Sequence, residues 1–153
     1  MDVRIRFGGS YTNNSNSCTG VRMIQENFCK EVSIDSCAGI ILYPYCDMEL
    51  NEEDILYAER NGIDFIDAPW EELTEIVDNL KKDKTFIVRK IPSSFIAKNE
   101  YYRQKNPVYF TESTRFSTVE AVIISLSILQ QKNQAKEIAE KFNLLYVLEA
   151  CER

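Results

Sequence analysis

Residues 51–80 read NEEDILYAERNGIDFIDAPWEELTEIVDNL, and this stretch contains the helix–strand–helix pattern that decides the fold. Asn51 can cap a first helix, which continues to residue 60, because three acids follow it and Asn-Gly closes the helix. Residues 63–66 then predict a short strand, which Asp67 ends. Pro69 suits the first position of a second helix, which we expect to continue to residue 80.

The same alternation of strand and helix extends in both directions from this stretch. Further strands are predicted at residues 3–7, 39–43 and 85–88, and a further helix at residues 20–29. Alternating strands and helices of these lengths favour a parallel sheet with crossover helices. The predicted fold class is therefore α/β, with the sheet domain over residues 1–92.

The character of the chain changes after residue 92. Ser117 followed three residues later by Glu120 is typical of a capping box, and it predicts a long apolar helix to about residue 131. A shorter amphipathic helix is predicted over residues 133–142. Residues 93–153 are therefore expected to form a second, mostly helical domain.

Length and composition restrict the class of protein. The chain has 153 residues, 44% of them hydrophobic, which fits one domain or one domain with a small appendage. It contains no run of about 18 apolar residues, and its first seven residues include no apolar signal segment. We therefore expect a cytoplasmic protein that does not span a membrane.

The chain contains five cysteines, no histidine and no C-x-x-C pair. This composition argues against a zinc site, a disulfide framework, and a nucleophile activated by histidine. Glycine-rich phosphate-binding motifs are also missing. A cofactor used by such a protein must arrive already activated, and S-adenosylmethionine is one candidate because its sulfonium makes the attached carbons electrophilic.

A basic window extends from Lys81 to Arg115. It contains nine basic residues and three acids, a net charge of +6 in a chain whose net charge is −6. Aromatic residues are interleaved with these charges at positions 101, 102, 109 and 110. Clustered cations can bind phosphates and aromatics can stack bases, so the window is a candidate RNA-binding surface. The alternative is a solvated loop whose aromatics turn into the core.

Five short elements of the chain resemble one known family. They are CTG at 18–20 followed by Arg22, LYP at 42–44, NGIDFIDAPW at 61–70, RKIP at 89–92, and the pair NPV at 106–108 and RFSTVEA at 115–121. Their residues and order are similar to those of the small-subunit ribosomal RNA aminocarboxypropyltransferases. The resemblance covers residues 18–121.

The resemblance implies a fold and an activity. The family has an α/β sheet domain and a mostly helical one, with a trefoil knot like that of the SPOUT methyltransferases. Its members transfer the 3-amino-3-carboxypropyl group of S-adenosylmethionine to N3 of a pseudouridine, often already methylated at N1, in small-subunit rRNA during ribosome biogenesis. The implied partner is this rRNA or the pre-ribosomal particle, and we expect a monomer that needs no metal.

The resemblance also assigns site residues. Matching positions imply that the cofactor is bound by Thr19, Ile66, Ile91, Thr114 and Thr118, with Trp70 and Ser117 as further pocket residues. Asp67 is the candidate catalytic residue, either accepting the N3 proton or binding the cofactor's ammonium group. The basic window supplies the candidate RNA-binding residues Lys98, Arg103, Lys105 and Arg115.

Structural roles can explain several of these residues equally well. Ile66 and Ile91 are ordinary strand residues, and Thr118 lies in the capping box. Trp70 can anchor the start of a helix in the core, and Asp67 can cap that helix. A functional role is favoured for Asp67, because ligands of α/β sheets gather at the carboxyl ends of strands.

Departures from the family pattern leave other functions open. Residues 13–17 lack the family's basic run, Ala68-Pro69 replaces its serine, Thr111 replaces a glycine, and about eight residues are inserted within positions 98–105. The family's C-terminal tryptophan-glycine segment is not matched. The alternatives are a catalytically degenerate homologue that binds the pre-ribosome and an RNA methyltransferase on the same knotted fold. A tRNA-directed relative with a D-T-W motif fits less well.

Overall fold

A parallel sheet forms the centre of the molecule. The computed structural model describes residues 1–8, 19–34, 39–82, 86–95 and 117–152, and the side chains of Thr19 and Trp70 fall outside this description. The described strands are β1 Val3–Phe7, β2 Lys30–Glu31, β3 Ile40–Leu42, β4 Ile63–Asp67 and β5 Ile87–Arg89. Their order is β2-β1-β4-β3-β5, and every pair is parallel. The predicted α/β class with a parallel sheet is confirmed.

Helices cover the sheet and continue beyond it. They are α1 Thr19–Gln25, α2 Ile55–Asn61, α3 Leu73–Lys81, α4 Thr118–Ile128, α5 Lys132–Lys141 and α6 Leu145–Cys151. A 3₁₀ turn precedes α2 and another precedes α3, so both helices predicted from residues 51–80 begin with a tighter turn. None of the helices in the described ranges is both long and apolar enough to cross a membrane.

Both predicted capping arrangements are confirmed. The side chain of Asn51 accepts a hydrogen bond from the backbone N–H of Glu53, and the Asp54 carboxylate accepts one from the backbone N–H of Asn51. At the start of α4, the Ser117 hydroxyl accepts a hydrogen bond from Glu120 N, and the Glu120 carboxylate accepts one from Ser117 N. These pairs satisfy backbone donors that a helix start otherwise leaves unpaired.

Some boundaries differ from the prediction. The first helix ends at Gln25 because Asn27 adopts a left-handed conformation with φ 64°, and α4 ends before Gln130, which has φ 63°. Strand β2 was not predicted, because both of its residues are exposed and carry no apolar pattern. Helix α6 was also missed, and no side-chain cap marks its start.

Side chains alternate between two cores along each inner strand. On one face, residues such as Ile5, Ile40 and Phe65 pack with α1, α2 and the helices α4 to α6. On the other face, Ile41 packs with Leu73 and Val77 of α3. The C-terminal helices therefore share a hydrophobic core with the sheet. The domain boundary near residue 92 and the trefoil knot stay predictions, since residues 83–85 and 96–116 lie outside the description.

A buried ion network links β1 to β4 on the face that α3 covers. Asp64 Oδ1 lies 2.7 Å from Arg6 Nε and 2.9 Å from Arg4 Nε, and Asp64 Oδ2 accepts a hydrogen bond of 2.9 Å from Gly39 N. Arg6 is 1% exposed and Asp64 is fully buried. Burial raises the pKa of Asp64, but the hydrogen bonds from the two arginines outweigh it, so the pKa lies below its usual value.

Candidate active site

A cavity of about 340 Å³ lies beyond the carboxyl ends of β3, β4 and β5. Strand β4, which follows β3 in the chain, pairs with β3 on one side. The next strand in the chain, β5, pairs with β3 on its other side. The chain therefore reverses its direction across the sheet at this point, and open α/β sheets bind ligands at such reversals. The volume falls within the range of about 300–1,000 Å³ that small organic ligands occupy.

The cavity combines apolar walls with a few polar groups. Its apolar lining includes Leu42, Tyr43, Phe65, Ile66, Ile91 and Ala121. The polar lining in the described part of the chain consists of Asp67, Lys90, Ser93, Ser117 and Thr118. Such a mixture suits a ligand with one flat apolar part and one charged part.

Asp67 lies where two strands and two helices meet. Thr118 Oγ1 donates a hydrogen bond of 3.4 Å to Asp67 Oδ2. A Cβ atom added at Gly20 of α1 would lie 3.0 Å from the same oxygen, so glycine allows α1 to approach the carboxylate closely. The backbone carbonyl of Asp67 accepts a hydrogen bond of 3.2 Å from Gly8 N, just beyond β1. The described contacts of this carboxylate therefore reach both α1 and α4.

The first turn of α4 faces the cavity through Thr118. The capping box accounts for Glu120 and for the hydroxyl of Ser117, as the structural alternative expected. The Thr118 hydroxyl, in contrast, is directed to Asp67. The amino end of a helix carries a partial positive charge, and the carboxylates of Asp67 and Glu120 both lie against it.

Two tyrosines follow β3 on the opposite wall. The rings of Tyr43 and Tyr45 meet edge to face, with centroids 5.6 Å apart and an interplanar angle of 82°. The Tyr43 hydroxyl donates a hydrogen bond of 2.9 Å to Thr74 Oγ1, which fixes this ring against α3. Tyr45 is 55% exposed. One ring is thus held in the core, and the other extends to the cavity rim.

The structure brings five of the predicted site residues together. Ile66, Asp67, Ile91, Ser117 and Thr118 all line the cavity. The backbone of Thr19 begins α1 next to Gly20, and Trp70 begins the turn after β4, but the side chains of both lie outside the description. Thr114, Lys98, Arg103, Lys105 and Arg115 also lie outside the described residues. The functional roles assigned to all of the residues named in this paragraph stay predictions.

Sequence reasoning missed Tyr45 and Lys90 as cavity residues, and it did not assign Tyr43 to the site. All three lie at or just beyond the ends of β3 and β5, within or next to the LYP and RKIP elements. Applying the strand-end rule to β3 and β5, as well as to β4, would have found them.

Other candidate chemistry is limited in the described part of the chain. No group of three or more His, Cys, Asp or Glu side chains that could hold a metal ion lies among the described residues. Burial raises the pKa of the Cys29 thiol to about 12, which keeps this thiol protonated and unreactive.

Comparisons with known proteins place this fold and cavity in a family. Residues 40–147, more than half of the chain, match the family described as "Ribosome biogenesis protein, C-terminal". The 16S rRNA aminocarboxypropyltransferase of Methanobrevibacter smithii is 30% identical over 134 residues, which cover 82% of this chain and 69% of that protein. The 16S rRNA aminocarboxypropyltransferase of Sulfurisphaera tokodaii is 31% identical over 123 residues, which cover 80% of this chain and 65% of that protein.

A solved structure agrees with these relatives. The SAM-dependent rRNA:acp-transferase from Vulcanisaeta distributa matches with a TM-score of 0.66 at 24% identity, over 99% of this chain and 83% of that chain. This likeness shows a shared fold. With the family match over residues 40–147, it leads to one conclusion: the chain belongs to the ribosome biogenesis protein family that includes the 16S rRNA aminocarboxypropyltransferases.

Proposed function

We propose that this chain transfers the 3-amino-3-carboxypropyl group of S-adenosylmethionine to N3 of a pseudouridine, with or without an N1 methyl group, in small-subunit rRNA in the cytoplasm. One observation carries the proposal. Every described residue that lines the cavity, from Leu42 to Ala121, lies within the segment that matches the family. The part of the chain shared with the relatives is therefore the part that builds the site.

The residues present fit S-adenosylmethionine. Leu42, Phe65 and Ile91 offer apolar surface for an adenine ring. Asp67 offers a negative charge for an ammonium group. The cavity therefore holds complementary groups for both ends of the cofactor.

The chemistry requires positioning and the removal of one proton. S-adenosylmethionine supplies an activated carbon, so that the carbon–N3 bond forms as the carbon–sulfur bond breaks and the electron pair leaves with the sulfur of 5′-methylthioadenosine. Asp67 either accepts the N3 proton and passes it to water, or binds the ammonium and orients the group to be transferred. Thr118 holds the carboxylate by a hydrogen bond for either role, and the absence of a side chain at Gly20 leaves room for it.

A pair of isotopic labels tests the reaction. The chain is incubated with small-subunit rRNA that contains its pseudouridines but lacks the aminocarboxypropyl group, and with S-adenosylmethionine labelled either in the methyl group or in the carboxyl carbon. The nucleosides are then analysed by mass spectrometry. We expect only the carboxyl label to enter the RNA, at one pseudouridine. Entry of the methyl label would instead identify a methyltransferase.

Two further measurements complete the test. RNA binding without entry of either label would identify the catalytically degenerate homologue. Calorimetry in the presence of EDTA should leave the affinity for S-adenosylmethionine unchanged, since we propose that the cofactor binds without metal. A loss of affinity in EDTA would contradict this part of the proposal.

Two structural features belong to the same proposal. The family fold implies a trefoil knot, and a crystal structure that traces residues 83–116 tests it. We also propose that the chain acts as a monomer, which light scattering measures directly.

A further inference from the structure

Arg89 and Lys90, two adjacent cations of the basic window, have different surroundings. Arg89 Nε lies 3.2 Å from Oδ2 of Asp54, a nearly buried carboxylate, so its charge is used within the fold. Lys90, the next residue, lines the cavity instead. Within the described ranges, no carboxylate forms an ion pair with Lys90. The carboxylate of Glu49, its neighbour in the sheet, accepts a hydrogen bond of 3.0 Å from Ser93 N.

Lys90 shares the cavity with an exposed aromatic ring at the rim. Lys90 and Tyr45 line the same cavity, and Tyr45 is 55% exposed. Burial raises the pKa of the Cys46 thiol, and the charge of Lys90 is among the effects that oppose this rise. Cys46 directly follows Tyr45, so the charge of Lys90 acts on the segment that carries the ring.

Lys90 and Asp67 lie at the ends of different strands. Asp67 ends β4 and Lys90 follows β5, with β3 between them. Neighbouring strands are about 4.8 Å apart, so the backbones at the two positions are separated by roughly 10 Å across the sheet. The two charged side chains therefore enter the cavity from strands on opposite sides of β3.

We propose that Lys90 and Tyr45 form the acceptor subsite, in which Lys90 binds a phosphate of single-stranded RNA and the Tyr45 ring stacks against a base. This inference rests on the proposed function, since it concerns the RNA that the transfer reaction modifies. Enzymes that modify a base bind it unstacked, and aromatic rings beside cations hold such bases.

Binding measurements on matched variants test the subsite without turnover. Fluorescence anisotropy measures the affinity for an unmodified small-subunit rRNA hairpin over a range of salt concentrations, and calorimetry measures the affinity for S-adenosylmethionine. Lys90→Met removes the charge and keeps most of the stem, Lys90→Arg keeps the charge, and Lys132→Ala removes an exposed charge of α5 as a control. Tyr45→Ala and Tyr45→Phe form the second pair.

We expect two separate effects on RNA binding. Lys90→Met should lower the slope of log affinity against log salt by about one, while Lys90→Arg and Lys132→Ala keep the wild-type slope. Tyr45→Ala should weaken RNA binding at least about fivefold, and Tyr45→Phe should retain it. The affinity for S-adenosylmethionine should stay within about twofold in all variants, because the change affects the acceptor and not the cofactor.

Three results would overturn the subsite. The first is a wild-type chain that does not bind the hairpin. The second is an unchanged salt slope in Lys90→Met together with unchanged RNA affinity in Tyr45→Ala. The third is a loss of S-adenosylmethionine affinity in Tyr45→Ala with RNA affinity intact, which would place the adenine on this ring. Failure of the label-transfer experiment would refute the proposed reaction, but it would not alter these binding results.

Discussion

Thr118 Oγ1 donates a hydrogen bond of 3.4 Å to Asp67 Oδ2, and this bond joins the first turn of α4 to the end of β4. Gly20 of α1 lies against the same carboxylate oxygen. Residues that are far apart in the chain therefore position one carboxylate at the edge of a cavity that suits a small ligand. The predictions below separate the role of this carboxylate from its contribution to the fold.

Asp67→Asn should impair function and leave the fold intact. Asparagine caps a helix about as well as aspartate and keeps an oxygen for Thr118, so we expect a Tm within roughly 4 °C of wild type. The charge and the base are lost, so cofactor affinity or transfer rate should fall at least about tenfold, or 1.4 kcal/mol. Asp78→Asn on the exposed side of α3 serves as the control. Wild-type activity in Asp67→Asn would show that the residue is structural.

Gly20→Ala should lower the transfer rate without lowering the stability of the fold. The new Cβ would lie 3.0 Å from Asp67 Oδ2 and 3.5 Å from Ile5 Cδ1, so the carboxylate must shift by a few tenths of an ångström. Alanine is a better helix former than glycine by about 1 kcal/mol, so the free energy of unfolding should not fall. We expect a severalfold lower transfer rate with an unchanged or higher Tm, because the displaced carboxylate is misaligned. An unchanged rate would show that the position of Asp67 is not critical.

Asp64 should make the stability of the protein depend on pH. Its pKa in the folded state lies below the unfolded value of about 3.9. At pH values between the folded and unfolded pKa, the unfolded state binds more protons than the folded state. The ionised Asp64 carboxylate therefore stabilises the folded state fully above about pH 5. This stabilisation is lost as the pH falls through the folded-state pKa. Asp64→Asn also removes the counter-charge that the carboxylate supplies to Arg4 and Arg6, at a cost of about 3–5 kcal/mol near neutral pH.

Urea unfolding at several pH values measures this effect. The difference in unfolding free energy between wild type and Asp64→Asn should become smaller as the pH falls from 7 towards about 3. Asp2→Asn is the control, since Asp2 forms an exposed pair with Lys30 at 3.7 Å and should change the stability very little. A difference between wild type and Asp64→Asn that stays constant with pH would contradict a role for the ionised carboxylate.

The basic window should contribute to RNA binding through charge. Reversing Lys98, Arg103 and Lys105 to glutamate should weaken the affinity for an rRNA hairpin and flatten its dependence on salt concentration. Reversal of Lys132, Lys136 and Lys141, three exposed residues of α5, provides a control with the same change in net charge. Equal effects of the two triple variants would show that only total charge matters, and that the window is a solvated loop.

Local patterns were sufficient to predict much of the fold. The capping box at Ser117 and Glu120 forms as predicted, and so do the strand at residues 63–66 and the cap at Asn51. Each depends on residues within about four positions of one another, so the signal is present in any short window. Strand β2 carries no such signal, because its two residues are exposed and form a strand by pairing with β1.

The buried charges show what a local pattern leaves undecided. The alternation of residues 3–7 is typical of a strand with one solvated face. In the folded chain Arg6 and Asp64 are buried together, because β4 places a carboxylate opposite the arginines of β1 and α3 covers the face that carries them. No pattern within β1 reports the identity of the strand that will pair with it.

The sequence by itself determined most of the helices and strands, the positions of the motifs at strand ends, and the resemblance to a family, because these depend on neighbouring residues or on their order. Only the tertiary structure decided that Gly20, Asp67 and Thr118 meet, and that Tyr45 and Lys90 share a cavity with them. These residues meet because the strands of the parallel sheet are arranged in an order that differs from their order in the chain. Parallel pairing requires long crossovers, and these bring distant segments to the same edge of the sheet.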